Sequence, residues 1–176
     1  MSEGPRIHLS DALRLAESAM KFLRPHCDRI EVAGSVRRQK PDVGDIEIVC
    51  IPKAQFNLLG EVYRAANEIE NAIYAAGYPL AKNGEKFKQF SIGPCNCDLF
   101  ITTPEQWGVI YTIRTGSADF SHRLVTPKNM GGLLPSFLQV KEGRLQDRAS
   151  GVRLNTCEEI DLFNAINLKW IEPYER

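Results

Sequence analysis

The stretch from residue 34 to residue 47 is the most informative part of this sequence: it opens with GSVRR (residues 34–38) and closes with GDIE (residues 44–47). Because side chains at i and i+2 of a strand point to the same side, Asp45 and Glu47 are expected to share one face. Two close carboxylates are unfavourable unless a cation neutralises them, and hard oxygen ligands favour magnesium. The pattern therefore predicts a magnesium site on this strand.

The Gly-Ser pair in the same stretch has the features of a phosphate-binding turn. Backbone amides and the Ser35 hydroxyl can meet a phosphate there, and Arg37 or Arg38 can add a charge-assisted contact. Taken separately, a Gly-Ser turn is a common loop and an acidic pair at i and i+2 is usually a solvated strand face. The two features together, followed by the apolar Ile48 and Val49, favour a functional site.

This pattern resembles the nucleotidyltransferase fold of the DNA polymerase beta superfamily, whose signature is Gly-Ser followed by Asp-apolar-Asp/Glu. From about residue 30 onward, four further segments are similar to family X DNA polymerases and occur in family order. They are the hairpin KNGEKF (82–87), the strand CDLF (97–100), the turn TGS (115–117) and the closing segment KWIEP (169–173).

The resemblance implies an α+β fold, with a mixed nucleotidyltransferase sheet, helices on one side of it, and a small α/β thumb. The expected palm covers residues 1–127 and the expected thumb covers residues 128–176. Only a short helix precedes Ile30, so the lyase and fingers regions of larger family members are expected to be absent. The chain would then be similar to the compact viral members of the family.

The same resemblance assigns roles to individual residues. Asp45 and Glu47 would each ligate two magnesium ions, with manganese as a substitute, and Asp98 would complete the metal that activates a primer 3′-hydroxyl. The residues expected to bind the nucleoside triphosphate are Gly34, Ser35, Arg38 and Gly44 at the phosphates, and Thr115, Gly116 and Ser117 beneath the sugar. The residues expected to contact the DNA backbone are Lys86 and Lys88, although hairpin lysines are more often simply solvated.

Several positions depart from the family pattern. Glu47 stands where family X polymerases normally have Asp, and Asn96 replaces a common Arg two residues before the third carboxylate. Ile113 and Arg114 replace an aromatic pair, which predicts poor exclusion of ribonucleotides. These departures keep open a template-independent nucleotidyltransferase that acts on RNA ends, a small molecule or a protein. A non-catalytic module that binds DNA or a protein partner is the remaining alternative.

Charge and cysteine content limit the possible partners. The chain has 22 basic and 22 acidic residues and a net charge of zero, so any DNA affinity is expected to be modest and salt-sensitive. Five cysteines without framework spacing and no long apolar run favour a monomeric intracellular protein with reduced thiols and no membrane partner. Cys95 and Cys97 are expected to pack in the core.

Periodicity and capping signals predict the order of the elements. The predicted elements are a helix capped by Ser10, strands at 29–32 and 45–51, a helix at 57–76, a hairpin at 79–92, a strand at 97–102 and helices beginning at Pro104 and Ser117. The Gly-rich segment 128–135 is expected to be a mobile connection, followed by paired strands within 137–148. Thr156 and Glu159 are expected to form the capping box of the last helix.

Overall fold

The computed structural model describes residues 5–56, 59, 62–64 and 66–176. The chain is an α+β protein whose two compact units divide between Thr102 and Thr103. The helices of the first unit are α1 (Leu9–Leu23), α2 (Gly34–Arg37) and α3 (Ala66–Ala75). Its strands are β1 (Ile7–His8), β2 (Cys27–Val32), β3 (Asp42–Val43), β4 (Asp45–Pro52), β5 (Ala54–Phe56), β6 (Val62–Arg64), β7 (Leu80–Asn83), β8 (Phe87–Ile92) and β9 (Cys95–Ile101).

A five-stranded mixed sheet forms the centre of the first unit, with the strand order β2-β4-β9-β8-β7. The neighbouring strands β4 and β9 are parallel, and every other neighbouring pair in this sheet is antiparallel. Two-stranded pairings of β1 with β3 and of β5 with β6 complete the unit.

Alternation along the sheet strands separates an apolar face from a polar one. On β4 the side chains of Ile46, Ile48 and Cys50 point into the main core, so Asp45 and Glu47 point to the opposite side. Residues of α1 and α3 complete this core, among them Ala16, Ala19, Leu23, Ile69 and Ile73. Full burial of one such Ile stabilises the fold by about 1.5–3 kcal/mol.

The second unit has a core of its own. Its elements are α4 (Trp107–Thr115), α5 (Ala118–Val125), β10 (Leu138–Lys141), β11 (Arg144–Asp147) and α6 (Glu159–Ala165). Apolar side chains from all five elements form one buried cluster, which includes Val109, Phe120, Leu138, Leu145 and Phe163. The strands β10 and β11 pair as a hairpin, as the sequence predicted for residues 137–148.

The division into units lies earlier than the expected boundary at residue 127. Because α4 and α5 share the buried cluster of α6, they pack with the C-terminal elements. The Gly-rich segment 128–135 is also part of the second unit. Lys128 N donates to Leu134 O at 2.7 Å and Leu134 is 1% exposed, so the expectation of a mobile connection is wrong.

Two helix starts and one helix length differ from the sequence prediction. His8, rather than Ser10, caps α1 by accepting a hydrogen bond from the Ser10 amide at 3.3 Å. Glu158 and Asp161 form the capping box of α6, because Glu159 is buried and paired with Arg176 at 2.8 Å. The helix predicted at 57–76 is confined to α3, and 62–64 is a strand; residues 57, 58, 60, 61 and 65 lie outside the described residues.

None of the described helices is both long enough and apolar enough to cross a membrane.

Candidate active site

The three carboxylates predicted from the sequence lie on β4 and β9, the two parallel neighbours of the five-stranded sheet. In the parallel pairing of β4 with β9, Glu47 lies opposite Asp98 and Asp45 lies opposite Asn96. Because Asp45 and Glu47 are two residues apart, all three carboxylates project from the same face. Neighbouring strands are about 4.8 Å apart, so this face concentrates negative charge.

The surrounding protein changes the electrostatics of Asp45, the first of the three carboxylates. Protein packed around Asp45 desolvates its carboxyl group and raises its pKa, and the negative charge of Asp98 raises it further. Arg38 is close enough to act in the opposite direction on Asp45. Burial lowers the pKa of Arg38 itself, and the charges of Glu47 and Asp45 partly offset that effect. Arg38 is therefore a counter-charge to the carboxylates of β4.

The Gly-Ser turn packs directly onto the carboxylate strand. Gly34 has a φ of +58°, and a Cβ at this position would collide with the Glu47 carboxylate. The Ala33 amide donates to the Glu47 carbonyl at 2.8 Å, which holds the start of α2 against β4. The Ser35 hydroxyl is buried without a hydrogen-bond partner. A buried, unsatisfied hydroxyl beside a glycine turn is available to a ligand.

A pocket of about 370 Å³ adjoins this turn. It is lined by Arg6, Ser35, Asp42, Gly44, Asp45, Pro94 and Asn96. The pairing of β1 with β3 brings the N-terminal segment to Gly44 and Asp45, and the positive charge of Arg6 lowers the pKa of Asp45. Sequence reasoning missed Arg6, because this residue lies outside every motif and is positioned by the two-residue strand β1 that follows it.

Sequence reasoning also missed Gln89. On β8 this residue lies opposite Asp98, and its Nε2 donates to Asp98 Oδ1 at 2.6 Å. The only signal in the sequence was alternation: Lys88 and Phe90 are buried on the helix-covered face, so Gln89 belongs to the carboxylate face.

The donor set fits a hard divalent cation. All three side chains offer oxygen ligands from one face of adjacent strands, and their mutual repulsion is the kind that a cation relieves. Within the described part of the chain, no three His, Cys, Asp or Glu side chains are already gathered closely enough to hold a metal ion. Cys95 and Cys97 are buried, as expected, and burial raises the pKa of both thiols.

The Thr-Gly-Ser turn belongs to the second unit. Thr115 is the buried last residue of α4, Gly116 has a φ of +71°, and Ser117 caps α5 by accepting from the Phe120 amide at 3.4 Å. The cap at Ser117 confirms the predicted helix start. Ile113 packs partly against the core of the second unit, whereas Arg114 is exposed.

The two hairpin lysines differ in their surroundings. Lys86 is exposed in the turn between β7 and β8. Lys88 is 3% exposed, and its Nζ lies 3.4 Å from Glu70 and also donates to Asn83. Because its ammonium group is buried inside the first unit, Lys88 is not available for the expected contact with a DNA strand.

The fold and the site together define an α+β protein with a carboxylate-bearing mixed sheet and an adjoining glycine-serine turn. Comparison with models of known protein families and with curated proteins found no match for this chain.

Proposed function

We propose that this chain is a metal-dependent nucleotidyltransferase of the DNA polymerase beta type, which adds deoxynucleotides to a primer 3′-hydroxyl as a minimal family X polymerase. One observation carries the proposal. Asp45, Glu47 and Asp98 share one face of two adjacent parallel strands, and the Gly34–Ser35 turn packs onto Glu47. Carboxylates beside a phosphate-binding turn are the arrangement that phosphoryl-group transfer requires.

The carboxylates account for the metal requirement. Two magnesium ions held by Asp45 and Glu47, one of them also by Asp98, would stabilise the attacking and leaving oxygens of an in-line displacement. Asp45 alone is already destabilised in its charged form by burial and by Asp98. The carboxylates alone therefore favour a bound cation, even without a substrate in the site.

The pocket accounts for the triphosphate. Its volume of about 370 Å³ is within the usual range for small-ligand sites. Ser35 supplies an unsatisfied buried hydroxyl, and Arg6 and Arg38 both supply positive charge near Asp45. These groups would hold phosphate oxygens while the carboxylates face the reacting phosphorus.

A template-independent nucleotidyltransferase is the second candidate. It is favoured by the burial of Lys88, which removes one of the two expected contacts with a DNA strand. The zero net charge also leaves little general attraction for a long polyanion. A purely non-catalytic module accounts less well for three carboxylates on one face of the sheet and an unsatisfied buried serine in the pocket that Asp45 also lines.

An incorporation assay with several acceptors tests the proposal. The full chain is incubated in magnesium with labelled dNTPs or NTPs and a primer–template, a single-stranded primer, or no nucleic acid. The expected result is extension of the primer–template only, with a higher nucleotide KM for Ser35→Ala. Equal labelling of the single-stranded primer would establish the second candidate instead, and no transfer to any acceptor would overturn the proposal.

A further inference from the structure

Gln89 is a polar residue on the carboxylate face of the sheet, directly opposite Asp98. We propose that Gln89 is a positioning residue for Asp98, which holds one carboxylate oxygen so that the other is presented to a divalent cation. This inference rests on the proposed function, because it assigns the cation to the same three carboxylates.

The contact is built into the sheet. Gln89 and Asp98 are directly opposed in the antiparallel pairing of β8 with β9, and Nε2 lies 2.6 Å from Oδ1. The residues on either side of Gln89 are anchored on the opposite face, where Phe90 is 0% exposed and Lys88 is 3% exposed. Because both neighbours are fixed in the core, the backbone of Gln89 has little freedom to move away from Asp98.

The chemistry of the donor also matters. An amide N–H orients a carboxylate without adding a positive charge, so it does not compete electrostatically with an incoming cation. With Oδ1 engaged, Oδ2 is left as the metal ligand. Asp98 and Asp45 repel each other, and the charge of Asp98 raises the pKa of Asp45. The hydrogen bond from Gln89 keeps Asp98 in place despite this repulsion. Outer-shell hydrogen bonds of this kind orient metal ligands in general.

Manganese binding by the full-length protein provides a readout that is independent of turnover. The free Mn²⁺ signal in electron paramagnetic resonance is titrated for wild type, Gln89→Met and Asp98→Ala. Met keeps the length and flexibility of Gln but lacks the donor. We expect Gln89→Met to bind Mn²⁺ about tenfold to a hundredfold more weakly, while its melting temperature without metal stays close to that of wild type.

Ser91→Ala is the matched control. Ser91 lies on the same strand and the same face, and its hydroxyl contacts Asn96 at 3.3 Å rather than a carboxylate. Its Mn²⁺ affinity should equal that of wild type. If Gln89→Met fails to fold, Gln89→Leu replaces it: Leu also lacks the donor and adds no charge, so Mn²⁺ affinity should fall in the same way.

The outcomes separate the two proposals. Unchanged Mn²⁺ affinity in Gln89→Met or in a folded Gln89→Leu, with weakened binding in Asp98→Ala, would overturn the positioning role and leave the proposed function standing. Equal Mn²⁺ binding by wild type and Asp98→Ala would overturn both.

Discussion

Arg38 has a different environment from an ordinary surface arginine. It is half-buried beside Asp45 and Glu47, and desolvation lowers its pKa while the two carboxylates raise it. Under the proposed function, the same guanidinium would meet phosphate oxygens of a nucleotide bound beside these carboxylates. Its neighbour Arg37 is the last residue of α2, turned about 100° around the helical axis.

Replacing Arg38 by Ala should raise the nucleotide KM much more than it changes primer affinity. Loss of a charge-assisted contact costs about 1.5–3 kcal/mol, which corresponds to roughly a tenfold to hundredfold increase in KM. Steady-state kinetics with varied dNTP measures the effect, and Arg37→Ala is the control. Equal defects in the two variants would indicate a general positive patch in place of a specific contact.

Asp45 should limit the stability of the metal-free protein. Because its pKa is raised by burial and by Asp98, the charged form is disfavoured in the folded state relative to the unfolded chain. Stability should therefore fall as the pH rises from the ordinary value of 3.8 through the raised folded value. Asp45→Asn should be more stable than wild type at neutral pH; because Asp45 is exposed to solvent, we expect a gain of only about 0.2–1 kcal/mol, the scale of a screened surface interaction.

Thermal unfolding in a metal chelator, measured across this pH range, tests the role of Asp45. The difference between Asp45→Asn and wild type should be small at acidic pH and grow towards neutral pH. If Asp45→Asn were less stable than wild type at neutral pH, the attraction between Asp45 and Arg38 would contribute more to stability than desolvation and the repulsion from Asp98 take away.

The packing of α2 against β4 is the contact between elements on which the site depends. Gly34 stands at the start of α2 with a φ of +58°, and its missing side chain leaves room for the Glu47 carboxylate. The amide of Ala33, one residue earlier, is bonded to the Glu47 carbonyl. A change at Gly34 therefore displaces a carboxylate and the serine turn together.

Gly34→Ala should destabilise the protein by about 1–3 kcal/mol, because Ala is strained at this φ and collides with Glu47. Denaturant unfolding measures the loss. Gly44→Ala is the control for stability, since a Cβ at Gly44 would meet nothing within 4 Å and should change stability by less than about 0.5 kcal/mol. A loss in Gly34→Ala no larger than that in Gly44→Ala would contradict the close packing.

The sequence predicted those elements in which local chemistry and tertiary packing agree. Asp98 on β9 was assigned through the resemblance to family X polymerases, whereas the sequence itself predicted β4 from its apolar residues and placed Asp45 and Glu47 on one face. It could not predict β6, because Tyr63 and its neighbours fit a helical stripe while pairing with β5 makes them a strand. Nor did it place Arg6, which reaches the site through the pairing of β1 with the distant strand β3, or Gln89, whose contact with Asp98 depends on the register of β8 against β9.

The helix caps show the same limit at closer range. Ser117 was predicted correctly because nothing else competes for the start of α5. At α6 the expected acceptor, Glu159, is instead drawn into a buried pair with Arg176, whose guanidinium also lies 5.1 Å from the Phe163 ring centroid. Tertiary contacts of this kind override a local capping signal, and the cap moves to Glu158.

At the scale of the whole molecule, charge balance should govern the interaction with nucleic acid. The chain carries no net charge, so binding to a simple primer–template should be weak. If about three phosphates are contacted, the affinity should fall about fortyfold when salt rises from about 50 to about 200 mM. Fluorescence anisotropy of a labelled duplex measures this dependence, and an affinity that does not change with salt would exclude phosphate contacts as its source.

The most direct test of the account is transfer of a labelled nucleotide to a primer 3′-end in magnesium by wild type and by Asp98→Ala. The account predicts transfer by wild type and a fall of at least about a thousandfold in the variant, the scale on which catalytic groups act. Glu31→Ala is the control, because Glu31 is an exposed acid on β2 of the same sheet, opposite Val49. Its rate should match that of wild type. A folded Asp98→Ala protein that extends the primer as fast as wild type would contradict the central claim.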